Sequence, residues 1–365
     1  MFKPRTLSIG LILTLVAALT LSLGVVSADN DEEEVRLGGS VVYRDDGGNA
    51  SARVVIRLAG LPALPDGMAY EGWLVGVTGD KVSTGVMRRS FTGAVNGEYV
   101  DPDGENLLTK YTAFAITKEP SPDPDPATPG EVVYADSINE GAAPHVGRLL
   151  VKWRDAPGET AATTGLRDQI AIALAHAEAA EEASSMVVQQ RHAQQVINIL
   201  QGEDGADYGR AVVPGASGDG LGAMNYASAV IAVAQGAAAD SEGDADVEAA
   251  AGMVVAHAGS AVAGMTQAVN NAKAVIGASA GGFVFDLRLQ NVSLALERAH
   301  NSADDAYVSS QNIATFVPIL GATPEPPSVG DALVQALVFG ALIAGLAAVA
   351  AGAYLLLGQR RRVTA

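Results

Sequence analysis

The sequence predicts an α+β multidomain chain: an N-terminal β-sandwich, an alanine-rich four-helix bundle and a single C-terminal transmembrane helix. Three observations carry this expectation. Over residues 35–154, short runs rich in Val, Ile, Tyr and Thr alternate with clusters of Gly, Asp and Pro, the pattern of strands and turns. After Pro157-Gly158 the composition shifts to Ala, Gln, Glu and His, with apolar residues at steps of three and four. Residues 332–357 then carry no charged side chain, a run longer than the roughly 20 residues that cross a bilayer core. The 365 residues leave room for two folded domains.

Taken in chain order, residues 1–28 read as a signal peptide. Lys3 and Arg5 open it, Leu7 to Val26 is uncharged, and Val26-Ser27-Ala28 places small residues ahead of an acidic run. An uncleaved anchor is the alternative, because the apolar run is long for a signal. Residues 29–155 form the expected sandwich, with strands at 39–43, 52–58, 69–77, 82–88, 111–117, 132–136 and 147–153. Asp45-Asp46-Gly47-Gly48, Thr78-Gly79-Asp80 and Asp101-Pro102-Asp103-Gly104 supply turns between them. Residues 120–130 lack backbone donors at five prolines and are expected as a solvated excursion.

Residues 160–316 are the expected bundle, with helices at 163–184, 186–201, 222–239, 245–276 and 284–315. The first two count as one if the chain only kinks at Ser184-Ser185. Residues 317–331, with Pro318, Pro324, Pro326 and Pro327, read as a stiff linker. Residues 332–357 are the membrane helix and 358–365 a short cytoplasmic tail. Asp331 precedes the span and Arg360-Arg361-Arg362 follows it, so the positive-inside rule puts the C-terminus in the cytoplasm and the bulk of the chain outside.

The formal charge is −18, from 23 basic and 41 acidic residues. Five of the basic residues lie at the extreme ends, so the body carries 18 basic against 41 acidic groups. Such a body repels a phosphate backbone, which excludes nucleic acid as a natural partner. The chain has no Cys, which excludes disulfides, thiolate metal sites and a cysteine nucleophile.

One segment is distinctive. Gly60-Leu61-Pro62 leads through Asp66-Gly67 into Tyr70-Glu71-Gly72-Trp73-Leu74, and a hairpin returns through Ser83-Thr84-Gly85-Val86. Tyr70 and Trp73 differ by an odd number of residues and must face opposite sides of a strand, one ring in the core and one covering a face. This stretch resembles the extracytoplasmic C-terminal domain of anti-sigma-K factors, over roughly residues 40–150. The resemblance implies a membrane-associated regulatory module in which Tyr70, Trp73 and Gly85 serve packing. In that family a separate cytosolic N-terminal domain binds the sigma factor. This chain opens instead on an export signal, so the expectation is a module without a sigma-binding domain of its own.

Candidate ligand sites are few. His176, His192, His257 and His300 fall on different predicted helices, three of them on apolar stripes. Imidazoles converging in a bundle can ligate haem iron or a transition metal. The opposing reading is four isolated polar core residues, since no pair shows the helix-borne i,i+4 metal spacing. Asp204, Asp207 and Asp219 lie in a Gly-rich loop and offer calcium-type oxygen ligands. The acidic alternation Asp240 to Glu248 lacks the Gly and Glu of an EF-hand and reads as a helix start. No nucleophile elbow, phosphate loop or His-Glu-x-x-His motif occurs. The sequence therefore predicts a non-enzymatic, membrane-anchored module without a cofactor, recognising an unidentified ligand or protein at a cell surface. The alternative is a haem- or metal-binding carrier.

Overall fold

The computed structural model describes residues 35–330. The expected signal peptide, membrane span and cytoplasmic tail lie outside the described residues. Among the described residues the fold is α+β, with two antiparallel sheets and six α-helices.

The first sheet has the order β1 (Gly38–Arg44), β2 (Arg53–Ala59), β5 (Val95–Val100). The second runs β4 (Lys81–Met87), β3 (Met68–Gly76), β6 (Tyr111–Pro120), β7 (Glu131–Ser137), β8 (Ile319–Leu320). Period-two alternation puts Val41, Tyr43, Val54, Ile56 and Leu58 of the first sheet, with Tyr70, Leu74, Phe114 and Ile116 of the second, in one buried cluster. The turn after β1 is built by Asp46, whose Oδ1 accepts the backbone N–H groups of Gly48 and Asn49.

Tyr70 and Trp73 part as strand geometry requires. Tyr70 enters the main core, while Trp73 covers the opposite face with Ala115 and Ala135 and donates its Nε1–H to Thr117 Oγ1 at 3.1 Å. Between them Gly72 admits the ring of Phe114, whose Cζ lies 3.0 Å from where a Cβ would sit. Gly85 stands at φ +93° beside the register shift between β3 and β4, where Thr84 is the extra residue.

The strand expected at 147–153 is instead a helix. α1 spans Ala143–Leu150. Pro144 starts it, and Val146, Leu149 and Leu150 fall at helical steps and are buried. The apolar run Leu149-Leu150-Val151 suits either structure, and helical burial decides it. Two strands were also unanticipated: β5, which carries Asn96 and Gly97, and β8, only two residues long.

The remaining helices are α2 (Ala162–Glu182), α3 (Met186–Gln201), α4 (Ala223–Asp240), α5 (Ala245–Ile276) and α6 (Phe283–Ile313). The chain breaks fully at Ala183–Ser185, so α2 and α3 are separate. Asp244 caps α5 by accepting from the N–H groups of Asp246 and Val247, so the acidic alternation does begin a helix. α5 is long and apolar enough to cross a membrane by length and composition. Its buried residues Val247, Ala250, Ala251, Val254, Ala258, Ala261 and Met265 nevertheless recur at steps of one, three and four, along a face packed on α4, α6 and α3.

Helices and sheets share one core. At their seam Asp45 Oδ1 accepts from Tyr307 OH at 2.6 Å, Gln311 Nε2 at 2.9 Å and the Ser51 N–H at 3.0 Å, while the Arg167 guanidinium lies 4.5 Å over the Tyr307 ring.

The segment read as a linker is held along the sheets. Phe316 exchanges backbone hydrogen bonds with Val41, Leu320 donates to Val35, and Ile319 and Leu320 pair with Ala135 and Tyr134 of β7. Val317 N–H donates to Asp136 Oδ2 at 2.5 Å, Thr112 Oγ1 donates to Pro327 at 2.7 Å, and a Cβ at Gly147 would collide with the Val329 carbonyl. Prolines remove donors from this stretch, but the N–H groups of Val317, Leu320, Gly321 and Glu325 find partners on the sheet strands and their flanks.

Candidate functional site

The connection from α3 to α4, residues 202–222, has no helix or strand of its own. Loops of that length inside a compact fold are uncommon and are usually functional. This one is strapped down by side chains. Gln194 and Gln195 of α3 donate to the carbonyls of Asp207 and Ser217, and Asn198 exchanges two hydrogen bonds with the backbone of Gly209. From α2, Gln169 Oε1 accepts the Asp219 N–H. Gly202 (φ +78°) and Gly222 (φ +93°) pinch its two ends together, where a side chain would collide with the facing backbone.

Under the strap lie two of the four candidate histidines. His176 of α2 and His192 of α3 are 3% and 5% exposed, with Nδ1 atoms 3.0 Å apart and ring centroids 5.2 Å apart. His176 Nε2 lies 2.8 Å from the Ala216 carbonyl oxygen. At Gly215 (φ +116°) a Cβ would stand 2.7 Å from the His176 ring, so glycine is what lets the strap reach the imidazole.

The protonation pattern follows from the partners. A carbonyl only accepts, so His176 Nε2 carries the proton and its Nδ1 in the neutral ring is an acceptor. His192 Nδ1 then donates, which leaves His192 Nε2 as a free lone pair. Burial, and then the neighbouring imidazole, hold the His192 pKa below the ordinary histidine value. The two rings thus form one buried hydrogen-bonded pair. Beside it a shallow, mainly apolar cavity of about 370 Å³ is lined by Ile172, Ala175, His176 and Ala179 of α2 and by Pro214 and Ala216 of the strap.

The other candidates lie elsewhere. His257 of α5 sits 3.9 Å from Asp305 and His300 of α6 sits 3.8 Å from Asp304, each with its own carboxylate. Among the described residues no group of three or more His, Cys, Asp or Glu is placed to hold a metal. Asp207 accepts from Lys273 Nζ at 2.6 Å and from Gln201 Nε2 at 3.1 Å, and the Lys273 bond leads in holding its carboxyl below the usual range. Asp219 accepts from Tyr226 OH at 2.7 Å and from the Leu221 N–H. Asp204 is exposed. The amides Gln169, Gln194, Gln195 and Asn198 were not anticipated as site residues. Their signal was present as a polar stripe at i, i+1 and i+4 on α3, facing a loop too glycine-rich to fold alone.

The family model described as anti-sigma-K factor rskA, C-terminal, matches residues 14–131, about a third of the chain. The match covers β1 to β6 and stops at the first residue of β7. It begins earlier and ends earlier than the 40–150 expected from the Tyr70–Gly85 motif, and the histidine pair and its strap lie beyond it. No curated protein and no solved structure matches the chain.

Proposed function

We propose that this chain is a non-catalytic binding or sensory module, anchored in a cell membrane by residues 332–357, with its sheets and helices outside the cytoplasm and its C-terminus inside. The two sheets are read as the sandwich of an anti-sigma-K-like domain and α2–α6 as a helical bundle joined to it. The observation that carries this reading is the match of residues 14–131 to a domain of regulatory, membrane-associated proteins. The uncharged run at 332–357, followed by three arginines, supplies the anchor and its direction.

The test is topological. In intact cells, a protease site inserted in the exposed 123–127 loop should be cut by external protease, while a tag after Ala365 stays protected. Cleavage of the C-terminal tag, or recovery of the chain with cytosolic proteins, would overturn the reading.

A second reading, a haem or transition-metal carrier, is favoured by one contact: two buried imidazoles meet Nδ1 to Nδ1, and one has its outer N–H fixed on a carbonyl, as metal-ligating histidines usually do. A Soret band, or stoichiometric metal lost in His192→Gln, supports it. Their absence from purified protein rejects it.

A further inference from the structure

The geometry points to a second site: the cleft between the β3–β4 hairpin, α1 and residues 328–330 is a docking surface for the phosphate headgroups of anionic lipids. This inference rests on the anchored reading above.

The body of the chain is strongly acidic, yet Lys110, Arg148, Lys152 and Arg154 converge on this cleft of about 560 Å³ with a single acid, Asp80, among its lining residues. The Asp80 carboxylate already accepts from Thr78 Oγ1 at 2.5 Å. Lys110 and Lys152 pair with Glu105 and Glu159, which stand outside the lining, and all four of these side chains are about half exposed. Exposed ion pairs of this kind are weak and exchange readily for a stronger anion. A phosphodiester is that anion, because Arg and Lys donors bind phosphate oxygens through charge-assisted hydrogen bonds.

Position selects the source of the phosphate. One wall is the segment 328–330, fastened to the body by the Thr112–Pro327 hydrogen bond and by the seat that Gly147 makes for Val329. The uncharged run begins at Ala332, two residues past Gly330, and two residues span at most about 7 Å. A chain anchored through that run holds the cleft at headgroup level, where basic side chains are attracted to an anionic surface. Val77, 55% exposed at the hairpin tip, adds an apolar contact on the same rim.

The chain has no cysteine, so Lys81→Cys, exposed at the start of β4 and outside the cleft lining, places one fluorophore beside the hairpin tip of the full-length protein. That protein is reconstituted in vesicles of phosphatidylcholine alone or mixed with phosphatidylglycerol, each with a headgroup-level quencher. Quenching should rise at least about twofold with the anionic lipid and fall as salt is added. Arg148→Glu/Lys152→Glu on the labelled background should abolish the rise, and the milder Arg148→Gln/Lys152→Gln should reduce it. The helical circular dichroism signal shows which variants are folded. If the protein resists alkaline extraction from the vesicles but quenching ignores lipid charge and both double variants, the inference is overturned while the anchor stands. If alkaline extraction releases the protein, the anchored reading and this inference fall together. Occupancy by soluble inorganic phosphate, without any dependence on lipid charge, also overturns it.

Discussion

The two sheets fill the shared core with Tyr43, Leu74, Phe114 and Ile116, whereas α5 and α6 bring many alanines to it: Ala250, Ala258, Ala261, Ala268 and Ala272 of α5 and Ala295, Ala299, Ala303 and Ala306 of α6 are all buried. Gly264 lets the helices approach until a Cβ there would stand 2.9 Å from the Ala295 carbonyl. The sheet region is thus stabilised by large side chains that leave cavities when shortened, and the helical region by backbone proximity that is spoiled when side chains grow.

That contrast can be broken experimentally. The largest effect belongs to Phe114→Ala. Phe114 is fully buried and stacked on Phe316 with centroids 6.2 Å apart, so denaturant unfolding should show a loss of about 3–5 kcal/mol. A loss below about 1 kcal/mol would mean the sheets are not packed as described. Next comes the seam. Burial raises the Asp136 carboxyl to about 6 despite hydrogen bonds from Val317 and Ser137. The folded state then takes up this proton before the unfolded chain does, so the contribution falls as pH rises from about 4 to 6. This group should cost the wild-type protein up to about 3 kcal/mol between pH 4 and 7, at roughly 1.4 per pKa unit. Asp136→Asn removes the charge, and with it this pH dependence, but keeps only one of the two oxygens that accept from Val317 and Ser137; melting temperatures at pH 4 and 7 check this.

Ala303→Leu tests the helical side, with an expected cost of about 1–3 kcal/mol from overpacking. Ala303→Gly should cost only about 1 kcal/mol, through helix propensity. A reversed order would show that the buried face of α6 has room to spare. The smallest effect is acid loosening of the strap. With its pKa held low, His192 resists protonation in the fold, so stability is lost as pH falls through about 6.5. Exchange protection across residues 209–221, taken relative to the intrinsic amide rate at each pH, should fall from pH 7 to 5.5, and His192→Gln should remove that response.

The two regions also differed in how far they could be read in advance. Helices 186–201 and 245–276 were expected at their observed bounds, because long apolar periodicity and an Asp cap act locally. Strands depend on distant partners. Gly97 inside β5 reads as a breaker until Ile56 is seen opposite it, and Ile319 becomes a strand only beside Ala135. The segment before Trp153 carried both signals, and Pro144 with buried Val146 resolved them toward helix. For the candidate site, the apolar stripe around His192 and the placing of His176 near Ile172 and Ala180 were visible. Their meeting was not, because helix rotation and the strap, rather than spacing, bring the rings together. The basic cleft was hidden for the same reason, its four cations being spread over 45 residues of sequence.

The pairing of residues 35–41 with 316–320 has a mechanical consequence. This clasp stitches the two sheets together at the start of the described chain and ahead of its last ten residues. Tension transmitted through residue 330 would be borne first by the Thr112–Pro327 bond and the short β7–β8 ladder, well before it reached α6. Stretching the tether would therefore open the clasp from its far end and expose Phe316 while the helices stayed folded.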